Sequence, residues 1–428
     1  MGAGFVILFA TSVKNKQKLT FQELSMGEHI VILVIALVVL LYGYISKALS
    51  QKNISGPMMF TSFGLLLSPF GFNITQVEVN AEFVTIIVEI ALVLVLFADA
   101  ALLDLNLLRK SWKIPARLLF IGLPITILAG TYVGSLIFPD EPLIYLILLA
   151  LLLTPTDAAL GKAVVSDPNV PKKIRSSINV ESGLNDGIVF PLVLTVVAMI
   201  SSGLTQAADS SWVGYVFEQI IFGALVGGAV GYLGTTITVK AVKNNWMESS
   251  YQNLIPIALA ILSFYLAESL SGNGFIAAFF AGLYAGNTCE ISRQHIEDFA
   301  ETEGELFVLV SFFLFGLAFV PITLAHISLD VVLYAFLSLT VLRMLPVIIS
   351  LIGAKLDLST MFFIAWFGPR GIASILYVLI VAHEMGSIDG FETVYSVVTV
   401  TVLMSIFAHG LTAQPLANWY AKSHREDN

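Results

Sequence analysis

The sequence predicts an all-α polytopic membrane protein with about 13 transmembrane helices. Apolar side chains make up 57% of its 428 residues and charged ones only 12%, against roughly 45–50% and about 25% in an average soluble domain. The apolar residues form continuous segments rather than the short alternating segments of a β-barrel. A soluble enzyme, a nucleic-acid binder and a disordered scaffold are excluded on composition. The single cysteine, Cys289, excludes a disulfide framework or a thiolate metal site.

The distribution of positive charge supports this count of helices. Of the 21 Lys and Arg residues, 15 lie in loops that follow odd-numbered apolar segments, and loops after even-numbered segments contain none. Because cytoplasmic loops carry the excess of positive residues, the amino terminus is expected outside the cell membrane and the carboxyl terminus in the cytoplasm. In chain order the segments lie at about 28–48, 57–72, 82–107, 115–138, 143–165, 175–201, 213–239, 252–270, 273–288, 305–326, 328–353, 359–383 and 392–417.

The expected organisation is one transmembrane domain over residues 28–417 and a short cytoplasmic tail over 418–428. Residues 1–27 form an amino-terminal tail with an apolar stretch too short to span a bilayer. Two explanations stand for this tail: translation starts at Met26, or the tail is simply exposed.

Two segments contain helix breakers near their middle. The fifth reads Thr154-Pro155-Thr156-Asp157, and the twelfth contains Gly368-Pro369-Arg370-Gly371. Proline frees backbone groups, and irregular backbone at membrane depth survives only when it is buried in protein or lines a cavity. Segments 5 and 12 occupy equivalent positions if segments 1–6 and 8–13 are inverted repeats, the arrangement that marks transporter sites.

Ionisable residues inside apolar segments are costly and mark functional sites. Five stand out in this sequence: Asp99, Asp157, Glu181, Asp186 and Arg370. Helical spacing places Ser182 and Asp186 on one face of segment 6, with Glu181 and Asn185 on the adjacent stripe. We expect Asp186 to bind or titrate and Glu181 to be paired with a cation, for which Arg370 is the best candidate. Arg370 has an alternative role, which is to balance the carbonyl ends of the broken helices.

Carboxylates, hydroxyls, an amide and freed carbonyls form an oxygen ligand set for a hard cation, with little support for a transition metal. Desolvation favours the protonated form of a buried carboxylic acid, and a bound cation favours the ionised form. One carboxylate therefore holds either a proton or a cation, which suits a proton/cation exchanger.

Four motifs in this order resemble the monovalent cation:proton antiporters of the NhaP/NHE type. They are Thr154-Pro-Thr-Asp157, Glu181-Ser-Gly-Leu-Asn-Asp186, the glycine-rich run 272–282 and Gly368-Pro-Arg-Gly371, and the resemblance covers about residues 28–417. It implies an NhaA-like antiporter fold with a core bundle at about 115–201 and 328–417. It also implies a homodimer through the scaffold helices, at about 28–107 and 213–326, and an elevator-like movement of the core.

The resemblance also implies roles for individual residues. Asp186 would be the essential cation and proton carboxylate, supported by Asp157, the Thr156 carbonyl and the Ser182 hydroxyl. Asn185 beside it is associated in the family with electroneutral exchange. Glu181 and Arg370 would form a structural ion pair. Several family members carry a glutamate directly after Leu-Phe in segment 3, whereas this chain reads Leu96-Phe97-Ala98-Asp99, so Asp99 either substitutes from the next position or has another role.

The expected function is secondary active antiport of a monovalent cation against H⁺, with Na⁺ as the leading candidate and K⁺ or Li⁺ as the others. No cofactor and no enzymatic activity are expected. A channel would not need a titrating carboxylate beside two broken helices. Two rivals remain: a proton-coupled organic-solute transporter on the same fold, and an intramembrane aspartyl protease that uses Asp157 and Asp186.

Overall fold

A computed structural model describes residues 26–74, 82–103, 105, 112–157, 160, 161, 164, 170–201, 210–288, 296, 298, 302, 304–324, 326–385 and 390–423. Within these ranges all regular secondary structure is helical, which confirms the predicted all-α fold class. The amino-terminal tail before Met26, the loop cysteine and Lys162 lie outside the described residues.

Fourteen helices of nine or more residues are present in the described part of the chain. Each predicted apolar segment overlaps one helix, except segment 12, which overlaps two; in segment 5 the helix covers only Leu143–Leu152. In chain order the helices are α1 (Met26–Ser50), α2 (Gly56–Leu67), α3 (Glu82–Leu102), α4 (Lys113–Ile137), α5 (Leu143–Leu152), α6 (Lys172–Ser201), α7 (Ser210–Lys243), α8 (Leu254–Ser269), α9 (Gly274–Thr288), α10 (Glu305–Leu324), α11 (Leu329–Leu351), α12 (Leu358–Trp366), α13 (Ile372–Met385) and α14 (Glu392–Ser423).

Seven of these helices are long and apolar enough to cross a bilayer, counted among the described residues: α1, α4, α6, α7, α10, α11 and α14. Four shorter apolar helices, α2, α5, α8 and α13, accompany them. The number of membrane crossings therefore stays a prediction at 13. Single π-helical turns interrupt α4 at Leu118–Gly122 and α10 at Phe315–Phe319, and Thr340 interrupts α11.

The helix breaks fall where the sequence predicts them. Helix α5 ends at Leu152, just before Pro155, because proline has no N–H to continue the helix. Helix α12 ends at Trp366, and residues 367–371 are non-helical until α13 begins at Ile372. Both breaks are buried in the protein, as the lack of water at membrane depth requires.

Helix α9 packs backbone to backbone against α3 on one side and α7 on the other. A Cβ on Gly282 or Gly286 of α9 would overlap a carbonyl oxygen of α3, and one on Gly227 or Gly231 of α7 would overlap a carbonyl oxygen of α9. Small residues four apart permit this approach in membrane helices. Helices α3, α9 and α7 therefore form a closely packed layer beside α6. Asp99 lies on α3, within this layer.

Candidate cation and proton site

The two broken segments cross and bind one another through their main chains. The Asp157 N–H donates to the Pro369 carbonyl at 2.8 Å. The Ser374 hydroxyl, in the first turn of α13, donates to the Leu152 carbonyl at the end of α5 at 2.7 Å. Groups that proline and glycine free from one helix are thus satisfied by the other, which meets the requirement that buried backbone groups be paired.

Arg370 completes this crossing. Its Nη1 donates to the Thr154 carbonyl at 2.6 Å and to the Pro155 carbonyl at 3.1 Å, and the side chain is fully buried at 1% exposure. The guanidinium therefore balances the negative carbonyl end of α5, where a positive charge is favoured. This is the second of the two roles that the sequence left open for Arg370.

The predicted Glu181–Arg370 ion pair is wrong. Glu181 pairs instead with Arg343 of α11, through Nη1–Oε1 at 2.7 Å and Nη2–Oε2 at 2.8 Å. Arg343 faces Glu181 from the neighbouring helix, whereas the guanidinium of Arg370 points to the α5 carbonyls. A Cβ on Gly368 would overlap the Arg343 guanidinium, so glycine at this position leaves room for the pair.

Asp157 is held as a cap on α13. Its Oδ2 accepts from the Ile372 N–H at 2.9 Å, and its Oδ1 accepts from the Leu160 N–H at 3.4 Å. A carboxylate at a helix amino terminus is stabilised by unpaired N–H groups and by the helix dipole. A Cβ on Gly371 would overlap this carboxylate. Asp157 is therefore held in place at the centre of the crossing by two main-chain N–H groups.

Thr156 is bound on three sides by α6. The Ser182 hydroxyl donates to its carbonyl at 2.6 Å, the Asn185 Nδ2 donates to its Oγ1 at 2.8 Å, and its own N–H donates to Asn185 Oδ1 at 3.3 Å. Asn185 thus orients the oxygens of Thr156. The structure brings together the three neutral oxygen-bearing residues that the sequence assigned to the site.

Asp186 lies one residue beyond this anchor and is 5% exposed. Among the described residues, its buried Oδ1 has no hydrogen-bond partner. Its main-chain carbonyl accepts from the Tyr377 hydroxyl at 3.2 Å. A buried, unpaired carboxylate oxygen is strongly disfavoured, and a proton on the acid or a cation beside it relieves that cost.

Asp99 approaches this site from α3. Its side chain is partly buried, and α3 packs against α6, the helix that carries Asp186. No cluster of three or more His, Cys, Asp or Glu side chains that could hold a metal ion occurs in the part of the chain that the structure describes. The groups that could hold a cation are the Asp186 carboxylate and the oxygens of Thr156 and Ser182.

Several residues of the site were missed by sequence reasoning. Arg343 had a signal, because it is a charge inside an apolar segment, but its partner was not predicted. Tyr377 had no sequence signal; its ring packs on Phe190 at 5.0 Å, and Phe190 packs on Phe275 at 4.7 Å. Phe190 lies one helical turn beyond Asp186, on the same face of α6.

Two helix breaks that cross beside a buried acid are the architecture of the antiporter fold. The chain belongs to the sodium/hydrogen exchanger family, whose transmembrane region matches residues 32–419. The solved structure of the sodium proton antiporter MjNhaP1 from Methanocaldococcus jannaschii at pH 8 superposes with a TM-score of 0.76 at 20% identity. It covers 92% of this chain and 100% of that one, and confirms the predicted fold.

Curated relatives include antiporters named for different cations. The K(+)/H(+) antiporter NhaP of Alkalimonas amylolytica is 26% identical over 383 residues, with 88% of this chain and 64% of that protein covered. The Na(+)/H(+) antiporter NhaP of Pseudomonas aeruginosa is 28% identical over 380 residues, with 82% and 86% covered. The chain therefore spans somewhat less than two thirds of the first relative's length and most of the second's.

Proposed function

We propose that this protein is a secondary active antiporter that exchanges a monovalent cation for H⁺ at Asp186. The observation that carries the proposal is the buried Oδ1 of Asp186, which has no hydrogen-bond partner among the described residues. Asp186 directly follows Asn185, which together with Ser182 fixes the oxygens of Thr156. A proton or a cation, but not both, satisfies this carboxylate. Competition between them, presented alternately to the two sides, couples the two fluxes.

The fixed charges around Asp186 favour electroneutral exchange. Glu181 and Arg343 neutralise one another. Asp157 is held by main-chain N–H groups and Arg370 by main-chain carbonyls, so their opposite charges are already accommodated without a transported ion. If one cation replaces one proton on Asp186, the loaded site has the same net charge in both forms.

Na⁺ is the leading substrate, with K⁺ and Li⁺ as competitors. Hydroxyl, carbonyl and carboxylate oxygens suit any of these hard cations. The relatives point in both directions, since one is named a K⁺/H⁺ and another an Na⁺/H⁺ antiporter. Selectivity is therefore the first quantity to measure.

The remaining features of the proposal concern assembly and orientation. We infer a core bundle at about 115–201 and 328–417, which contains the crossing, and a scaffold at about 28–107 and 213–326, which contains the α3–α9–α7 layer. The scaffold would form a homodimer in the cell membrane. The positive-residue pattern favours an outside amino terminus and a cytoplasmic carboxyl terminus.

The two rival functions have less support. A protease of the two-aspartate type needs a pair of carboxylates free to share a proton, but Asp157 accepts hydrogen bonds from main-chain N–H groups. An organic-solute transporter needs polar anchors for a larger ligand, and the relatives described above are named for Na⁺ or K⁺ rather than for an organic solute.

The test is exchange in proteoliposomes that contain a pH-sensitive dye. Addition of Na⁺, K⁺ or Li⁺ to vesicles with an acidic interior should raise the internal pH, with saturation in cation concentration. Asp186→Asn should abolish the response, while Asp140→Asn, at an exposed position, should leave it unchanged. Full exchange in Asp186→Asn would overturn the proposal.

A further inference from the structure

A polar stripe on α14 contacts the second broken segment. Its members are Ser405, His409 and Thr412, which follow the i, i+4, i+7 spacing of one helix face. Ser405 and His409 are fully buried, at 0% and 1% exposure. Polar groups at such positions persist when they are hydrogen-bonded, and all three are bonded to residues of the α12–α13 break or its edge.

His409 binds both the end of α12 and Ser405. Its Nε2 lies 3.0 Å from the Trp366 carbonyl, and its Nδ1 lies 3.2 Å from the Ser405 hydroxyl and 3.1 Å from the Ser405 carbonyl. The Arg370 N–H in turn donates to the Ser405 hydroxyl at 2.7 Å. Trp366 is the last residue of α12 and Arg370 lies within the break. Helix α14 therefore binds the main chain at both ends of the non-helical stretch from 367 to 370.

One neutral tautomer satisfies this chain of hydrogen bonds. The Trp366 carbonyl can only accept, so Nε2 carries the proton and donates to it. Nδ1 then accepts from the Ser405 hydroxyl, which itself accepts from the Arg370 N–H. In this tautomer the Ser405 carbonyl beside Nδ1 is not hydrogen-bonded to the ring. The bonds run in one direction, from Arg370 through Ser405 and His409 to Trp366, and each donor has an acceptor.

A second contact fixes the orientation of Trp366. Its Nε1 donates to the Thr412 hydroxyl at 3.0 Å, and its ring lies against the His409 ring at 5.1 Å. The carbonyl, the indole nitrogen and the ring face of one residue are therefore all held by α14.

We propose that His409, acting through Ser405, is a positioning residue that holds the α12–α13 break in the geometry that the cation site requires. The proposal rests on the antiport function above. Pro369 and Arg370 reach Asp157 and the α5 carbonyls only while the main chain between Trp366 and Arg370 keeps its path. His409 sets that path from a helix that carries none of the proposed cation ligands.

The experiment compares three variants of the full-length protein in proteoliposomes. His409→Leu removes both polar ends and should raise the cation concentration for half-maximal exchange at least fivefold, with a smaller change in maximal rate. His409→Gln keeps an amide donor for the Trp366 carbonyl and should restore at least half of the wild-type affinity. Thr401→Val is the control, because the Thr401 hydroxyl is bonded within its own helix to the Val397 carbonyl.

Hydrogen exchange separates this proposal from the transport function. Peptides that cover residues 367–371 should exchange faster in His409→Leu than in the wild type and the Thr401→Val control, whether or not the protein transports cations. Unchanged exchange there, or equal affinity loss in the Leu and Gln variants, would overturn the positioning role. Absence of exchange activity in the wild type would instead overturn the antiport function and leave the hydrogen-exchange result valid.

Discussion

Both carboxylate oxygens of Glu181 accept hydrogen bonds from the guanidinium of Arg343, at 2.7 and 2.8 Å. Two parallel bonds between planar groups are the strongest form of this interaction. The pair ties α6, which carries Asp186, to α11, and it leaves Arg370 free to bind the carbonyls of α5.

Replacement of one residue of the Glu181–Arg343 pair should lower the free energy of unfolding, because the other charge stays buried without its partner. Arg343→Gln leaves Glu181 unpaired and should lower the free energy of unfolding by about 3–5 kcal/mol, measured by denaturation of the detergent-solubilised protein. Glu181→Gln in the same chain should recover at least half of that loss. As the matched control, Glu181→Gln should not rescue Arg370→Gln. Equal rescue of both arginine variants would contradict the assignment of Arg343 as the partner.

Gly371→Ala should disturb the crossing directly, because the added Cβ would overlap the Asp157 carboxylate. Overpacking of this kind costs about 1–3 kcal/mol, and the displaced Asp157 should also weaken cation binding. Gly43→Ala is the control, since a Cβ there meets nothing within 4 Å. Gly371→Ala should lower the thermal unfolding temperature and raise the half-saturating cation concentration. Gly43→Ala should do neither, because alanine favours a helix more than glycine does. The idea fails if the two alanines behave alike.

Exchange should be insensitive to membrane potential. A cycle that moved one net charge would gain about 2.3 kcal/mol per 100 mV, equivalent to roughly 50-fold in a concentration ratio. Proteoliposomes clamped at 0 and at 100 mV should therefore give the same equilibrium pH gradient at a given cation gradient. A change of about 50-fold in the equilibrium proton concentration ratio would show that the exchange is electrogenic and that a group besides Asp186 changes its charge during the cycle.

Asp99 should tune affinity without being essential. Asp99→Asn removes an ionisable group from α3, which packs against the helix of Asp186, and we expect the half-saturating cation concentration to rise roughly tenfold, or about 1.4 kcal/mol. Exchange at saturating cation should persist, in contrast to Asp186→Asn. Asp330→Asn, at an exposed position on α11, is the control. Complete loss of exchange would make Asp99 a second essential carboxylate.

Features that depend on local chemistry could be predicted from the sequence. Pro155 and Pro369 act on their own backbone, so the two breaks were placed correctly without knowledge of any neighbour. The polar seam of Ser182, Asn185 and Asp186 follows from the helical period alone. That Thr156 and Ser182 belong to one site was implied by the resemblance to the antiporter family rather than by the helical period.

Features that depend on helix packing could not be predicted in this way. Glu181 and its partner are 162 residues apart. Two buried arginines in the second half of the chain, Arg343 and Arg370, were possible partners. Which one reaches Glu181 depends on how α11 lies against α6, and no periodicity in either segment encodes that. The contacts of His409 were missed for the same reason, since a lone histidine in an apolar helix does not indicate what it faces.

The layer of α3 and α9 has a mechanical consequence. Their backbones are in contact at Gly282 and Gly286, opposite the carbonyls of Phe97 and Ala101. At these positions no side chain lies between the two helices, so none could rearrange to let one helix slide along the other. Asp99 lies between those two carbonyls along α3. Its position is therefore interlocked with α9.

The contact between α9 and α6 is of a different kind. A Cβ on Gly183 or Gly187 would be 3.8 or 3.9 Å from the Phe279 ring, which is ordinary van der Waals contact against a flat surface. The helix that carries Asp186 thus has only van der Waals contact with α9 at these positions, whereas the helix that carries Asp99 packs backbone to backbone against α9. If α6 slid along α9, the distance between the Asp99 and Asp186 carboxylates would change. A cation in contact with both carboxylates would therefore be bound or released by that movement.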